Sequence, residues 1–156
     1  MYSPSLNAEC IDQICPKKSM MLGKGDAGDT SVQLIVINNE ILFFGEKDGN
    51  FYPTLKLLHK YPTMMKRMQV DKGAIKFILS GANIMCRGFT SPGGCLPVEL
   101  IEEEEPVAIY CEGKQHAIAI GLLKMSTEQI ASVNSGIGVE TLHFLNDGLY
   151  FNPKVA

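Results

Sequence analysis

The chain has 156 residues, 46% of them hydrophobic and 20% charged, a balance that excludes disordered and fibrous classes and permits one good core or two small ones. Its formal net charge of −3 argues against a uniformly basic nucleic-acid binder, and its longest apolar stretch, Ala117 to Leu123, falls far short of the roughly 18 residues a membrane span needs. Met1 to Cys15 lack the basic start and apolar middle of a signal peptide, so a cytoplasmic location without membrane attachment is expected.

In chain order, Asn7 to Ile14 can form a short helix that Pro16 stops, and Gly23 to Asp29 reads as a loop. Ser31–Ile37 and Glu40–Phe44 are apolar runs joined by Asn38-Asn39, a hairpin signal. Pro53 stands where a first helical residue should. Leu55, Leu57, Leu58 and Tyr61 supply an apolar face, Lys56, His59 and Lys60 fall outside it, and the helix must stop before Pro62. A domain boundary is expected between Pro62 and Val70, dividing the chain into 1–69 and 70–156. Beyond it, Ala74–Leu79 reads as a strand, Gly81–Gly88 as a short helical turn and Thr90–Gly94 as a loop. Val107–Cys111 and Ala117–Leu122 should pair as a hairpin through a turn at Gly113. Ser126 with Gln129 forms a capping box that starts a helix through Val133, ended by Gly136, and Leu142 to Phe151 reads as a closing hairpin around Asp147-Gly148. Many short strands with a few small helices predict an α+β chain with a compact barrel rather than a βαβ sheet.

The modest net charge hides a segregation. From Leu55 to Gly88 the basic residues Lys56, Lys60, Lys66, Arg67, Lys72, Lys76 and Arg87 face Asp71 alone, whereas Val98 to Glu112 carries glutamates and no basic residue. Charges further apart than a Debye length, ~8 Å at physiological salt, are largely screened, so the basic block can attract phosphate despite the acidic total.

Other motifs carry less. Gly23, Gly25 and Gly28 have the spacing of a dinucleotide-binding turn, but that motif needs a helix after it and here an apolar strand follows, so no cofactor is expected. The five cysteines fit reduced thiols and match no zinc spacing, so no metal is expected either. His59, His116 and His143 lie in separate elements without a local nucleophile, with His59 on a helix surface and His143 exposed or half-exposed by strand alternation. No catalytic residues emerge.

The segment VDKGAIKFILSGANIMCRGFTSPGG, Val70 to Gly94, resembles the opening of a PUA domain, and GLLKMSTEQIASVNSGIGVETLHFLNDGLY, from Gly121, resembles its close. Upstream, FYPTLKLLHKYP at Phe51–Pro62 and PKK at Pro16–Lys18 are similar to the N-terminal domain that accompanies this PUA in the malignant T-cell-amplified sequence family. The resemblance implies a small α/β N-terminal domain, apparently shortened, followed by a PUA-type β-barrel with short helices. It implies a non-catalytic RNA-binding factor of translation initiation, reinitiation and recycling, acting on small ribosomal subunit RNA and tRNA with a density-regulated protein homologue as partner. The alternative is an accessory subunit or relative of an RNA-modifying enzyme, against which the short stretch before the PUA argues. By position, Gly81, Ala82, Asn83, Arg87 and Gly88 inherit the RNA surface, with Lys72 and Lys76 as phosphate contacts and Lys56, His59 and Lys60 as a ribosome-facing stripe. Arg87 stands where the family usually has proline, and it is expected to close the short helical turn and add a phosphate contact.

Overall fold

In the computed structural model, which describes residues 20–27, 30–46 and 49–151, the chain builds two sheets, one after the other. The first is an antiparallel meander of β1 (Met20–Ala27), β2 (Thr30–Ile37), β3 (Glu40–Glu46) and β4 (Phe51–Pro53), adjacent in that order. The β2–β3 turn is the one its residues predict, since Asn38 and Asn39 both hold positive φ, 51° and 64°, as a two-residue turn that follows the strand twist requires. The expected loop from Gly23 is instead strand as far as Ala27, with Gly23 opposite Leu34 and Gly25 opposite Val32. Glycine weakens a strand locally, but the ladder to the apolar β2 outweighs that preference. The expected helix over Asn7–Ile14 and the Pro16–Lys18 motif lie outside the described residues.

Helix α1 (Leu55–Lys60) follows directly. Pro53 is not its first residue but the last of β4, and Thr54 is the N-cap, accepting from Leu57 N–H at 3.4 Å while donating to the Ile41 carbonyl at 3.3 Å. Leu55, Leu57 and Leu58 are buried, Tyr61 ends the helix, and Pro62 opens a 3-10 turn.

The remaining strands are β5 (Arg67–Val70), β6 (Ile84–Met85), β7 (Pro106–Cys111), β8 (Ala119–Leu123) and β9 (Ile137–Phe144), arranged β5-β7-β8-β9-β6. The β7–β8 hairpin forms as its residues predict. The expected strand over Ala74–Leu79 does not: the Asp71 carboxylate accepts from Ala74 N–H at 3.1 Å and caps a 3-10 turn that runs into α2 (Ile75–Ile78). Instead of one helical turn over Gly81–Gly88 there is β6 followed by α3 (Arg87–Thr90), so Arg87 opens a helix rather than closing one. The capping box is present on α4 (Thr127–Val133), but Asn134, at φ 50°, ends that helix before Gly136 is reached. No hairpin closes around Asp147. Its carboxylate accepts from Tyr150 N–H at 2.8 Å and starts α5 (Gly148–Phe151).

Strand β7 is buried on both faces and divides two cores. Ala108 and Tyr110 face a cluster with Phe43, Leu55, Leu58 and Met64 from the first half of the chain. Val107, Ile109 and Cys111 face the other way, onto Val70, Ile78, Phe89, Ile130 and Val139. The second sheet therefore completes the core of the first, which holds α1 against it.

Candidate nucleic-acid interface

An open groove of about 500 Å³ lies along α2, β6 and α3. Local bonds shape it. Asp71 accepts from Ala74 N–H and from the Ser91 hydroxyl, and its own N–H donates to the Gly88 carbonyl at 3.1 Å, tying the entry of α2 to α3. The Asp71 carboxylate is thus engaged at the groove edge. On the walls, Phe77 and Met85 are 56% and 52% exposed, an unusual use of large apolar side chains. Ile137, opposite Met85 across the β6–β9 ladder, continues the apolar surface at 42% exposure.

Of the residues named from the sequence, Ala82, Asn83, Arg87 and Gly88 line this groove. Arg87 is exposed on its rim. Ala82 and Asn83 also have a bracing role, because the Ala82 carbonyl accepts from the Thr141 hydroxyl at 2.9 Å and Asn83 Oδ1 accepts from Thr141 N–H at 3.2 Å. Gly81 lies outside the lining, and its φ of +90° makes it a turn glycine. Lys72 and Lys76 are exposed beside the lining residues Gly73 and Phe77, and Lys76 Nζ sits 5.1 Å from the Phe77 ring centroid. Sequence reasoning missed Phe77 and Met85, having placed Phe77 within a strand. The alternation of lysine with an aromatic in Lys76-Phe77 is the signal that points to it.

The second set does not form one stripe. Lys56 and Lys60 are exposed on α1, with Lys56 Nζ 4.5 Å above the Tyr150 ring. His59 turns inward, correcting its expected exposure: Nε2 donates to the Ala117 carbonyl at 2.8 Å and the ring lies 5.2 Å from that of His116. Burial pushes the His59 imidazole below its ordinary range. The Ala117 bond opposes this shift, while His116, His143 and Lys56 add to it. A base depressed by folding contributes stability that is complete above its unfolded value, about 6.5, and lost as pH falls towards the folded one. Wild type should therefore lose more stability than His59→Gln between pH values of about 7 and 5. Parallel denaturation profiles would assign the acid sensitivity elsewhere.

His143, expected at the surface, is buried at 1% exposure. Its Nε2 accepts from Leu55 N–H at 3.1 Å and its Nδ1 donates to Asp147 at 2.6 Å. Although His59 and His116 come together, no group of three or more metal-ligating side chains occurs among the described residues.

The sequence matches the Pre-PUA-like domain over residues 1–62 and the PUA domain over residues 66–145. It is 54% identical over 124 residues to the malignant T-cell-amplified sequence 1 homolog of Dictyostelium discoideum, covering 80% of this chain and 68% of that protein. To malignant T-cell-amplified sequence 1 of Rattus norvegicus it is 52% identical over 140 residues, covering 90% and 75%. In structure it resembles a conserved PUA domain protein from Thermoplasma acidophilum, with a TM-score of 0.65 at 20% identity over 85% of this chain and 81% of that one. A hypothetical protein from Pyrococcus horikoshii gives a TM-score of 0.67 at 23% identity over 92% and 85%. At such identities these two likenesses speak for the fold alone. The mixed α+β architecture is that of a PUA protein, and with half of all aligned positions identical to those relatives the chain belongs to the malignant T-cell-amplified sequence family.

Proposed function

We propose that this protein is a non-catalytic RNA-binding factor that engages small ribosomal subunit RNA and tRNA during translation initiation, reinitiation and recycling, in the cytoplasm and with a density-regulated protein homologue as partner. The observation that carries the RNA reading is the exposed apolar pair Phe77 and Met85 in a groove flanked by Lys72, Lys76 and Arg87. An unpaired base offers a flat apolar face that stacks on such a surface, each base contributing about 1–3 kcal/mol, while cations at the rim meet its phosphates. Arg87 presents a planar fork suited to two phosphate oxygens at once. Single-stranded ends and loops fit this arrangement better than a continuous duplex, whose bases are already stacked.

Filter binding of tRNA and single-stranded RNA over a salt series separates the two contributions. Replacing Lys72, Lys76 and Arg87 together with alanine should lower the salt slope by about two units, since each phosphate contact to a single strand contributes ~0.7. Phe77→Ala should weaken binding about tenfold or more at every salt concentration and leave the slope unchanged. Co-sedimentation of the same variants with small ribosomal subunits tests the translation assignment. Affinity and slope equal to wild type in both variants would remove the groove from RNA binding, and newly formed pseudouridine in tRNA incubated with the protein would overturn the non-catalytic reading.

A further inference from the structure

The large hydrophobic side chains exposed among the described residues include Val98 at 108% and Leu100 at 50%, neither of which lines the basic groove. They belong to a segment that is held at both ends. Before it, Cys95 and Gln69 exchange backbone hydrogen bonds at 2.9 and 3.1 Å. After it, Ile101 N–H donates to the Thr127 hydroxyl at 3.1 Å, and Thr127 N–H donates to the Ile101 carbonyl at 3.0 Å. Ile101 itself is fully buried, so the segment is pinned to the start of α4 while Val98 stays in solvent. With Leu96, Pro97, Thr127 and Ala131 these side chains border a shallow groove of about 360 Å³ beside α4.

The two charged side chains that line this groove, Glu99 and Glu128, are both acidic, and Glu102 and Glu103 follow directly after the pinned Ile101. Glu99, Glu102, Glu103 and Glu128 are exposed, and none forms an ion pair among the described residues, whereas Glu105 pairs with Lys66 and Glu104 with Lys124, both at 3.4 Å. Free carboxylates around an apolar floor repel a polyanion and attract lysine and arginine, so this surface is unsuited to the RNA proposed for the Phe77 groove. Apolar area left in water on a pinned segment is stabilised only when another apolar surface covers it.

We propose that the Leu96–Leu100 segment and α4 form a docking site for a basic amphipathic segment of a partner protein. Its apolar face covers Val98, Leu100 and Ala131, and its lysines or arginines meet Glu99, Glu102, Glu103 and Glu128. Leu96, already partly buried against the second core, supports the floor. Contact with the apolar floor sets the residence time and the carboxylates set the rate of encounter and the choice of partner.

The test uses the full chain and a fluorescein-labelled peptide of about 18 residues, leucine and lysine arranged on opposite faces of a helix. A scrambled peptide of the same composition and a leucine–glutamate counterpart serve as controls. Anisotropy should show binding of the leucine–lysine helix alone, and amide shifts should map to Leu96–Ile101 and Thr127–Ala131. The Val98→Ser/Leu100→Ser variant should weaken binding about tenfold or more, and reversing Glu99, Glu102, Glu103 and Glu128 to lysine should abolish it. RNA affinity should stay unchanged in the serine variant, which separates this site from the proposed RNA surface. Absence of binding, equal binding of the scrambled peptide, or shifts confined to the Phe77–Met85 groove would overturn the proposal. So would a loss of RNA affinity in the serine variant. Self-association in sedimentation that disappears in that variant would assign the surface to a second copy of the chain and overturn it as well.

Discussion

Replacing His143 with alanine is expected to destabilise the protein by about 3–5 kcal/mol, read as a lower midpoint of chemical denaturation. The imidazole is buried and edge-on to Phe44, with ring centroids 5.4 Å apart, so truncation opens a cavity at the junction of the two sheets. It also removes an acceptor. Leu55 is the first residue of α1, its N–H has no partner within the helix, and His143 accepts that bond from 88 residues away. A backbone N–H can only donate, so Nε2 must carry the lone pair and Nδ1 the proton that faces Asp147. Helix α1 is thus capped by its own Thr54 and, across the domain junction, by His143. Asp147→Ala should cost less, about 1–2 kcal/mol, because Asp147 is only partly buried. Burial raises the Asp147 carboxyl, but the bond from His143 and those from Phe144 and Tyr150 N–H outweigh it and hold it below its ordinary range. Its contribution is complete above the unfolded value, about 3.9, and disappears as pH falls through the lower folded one. Equal denaturation midpoints for wild type and His143→Ala would show that the junction does not depend on this bond.

Gly121→Ala should cost about 3 kcal/mol or leave the protein unfolded. A Cβ at this position would lie 2.3 Å from Val139 Cγ1 and 2.9 Å from the Glu140 carbonyl oxygen. Strand β8 is paired on both sides, with β7 and with β9, so neither the backbone nor Val139, which is fully buried, has room to withdraw. Gly88→Ala is the control. Its added methyl meets only side chains, Ile84 Cγ2 the nearest at 3.4 Å, so the variant should fold with a midpoint close to wild type. Matching midpoints for Gly121→Ala and Gly88→Ala would mean that β8 and β9 separate more easily than their pairing indicates.

The basic groove was half legible in the sequence. Ala82, Asn83, Arg87 and Gly88 were found by position within a resembled motif, and Lys72 and Lys76 by charge. Phe77 was missed because a short apolar run such as Ala74–Leu79 has no period long enough to separate strand from helix, and Met85 because Ile84–Met85 form a strand only by pairing with the distant β9. What decided Phe77 is the Asp71 carboxylate, which caps the 3-10 turn, and the core, which takes Ile78 and leaves Phe77 outside. His59 failed for a different reason. The helix forms over Leu55–Lys60, two residues after the expected start at Pro53, and its half-exposed face meets the Ala117 carbonyl of the second half of the chain, a contact that no local pattern encodes.

Signals that close within four residues were settled by the sequence itself. The Asn38-Asn39 turn, the Ser126–Gln129 capping box and the stop before Pro62 each depend on backbone geometry and donors that lie next to one another along the chain. Tertiary structure alone decided which way His143 points. Counted from Val139, which is buried in the second core, strict alternation along β9 would put His143 on that same face, but Ile120 is opposite His143 while Gly121 is opposite Thr141, which leaves Leu142 as an extra residue in the ladder. That bulge reverses the parity of the strand beyond it and sends the imidazole inward to the end of α1. A bulge is a property of two paired strands, and neither strand carries it in its own residues.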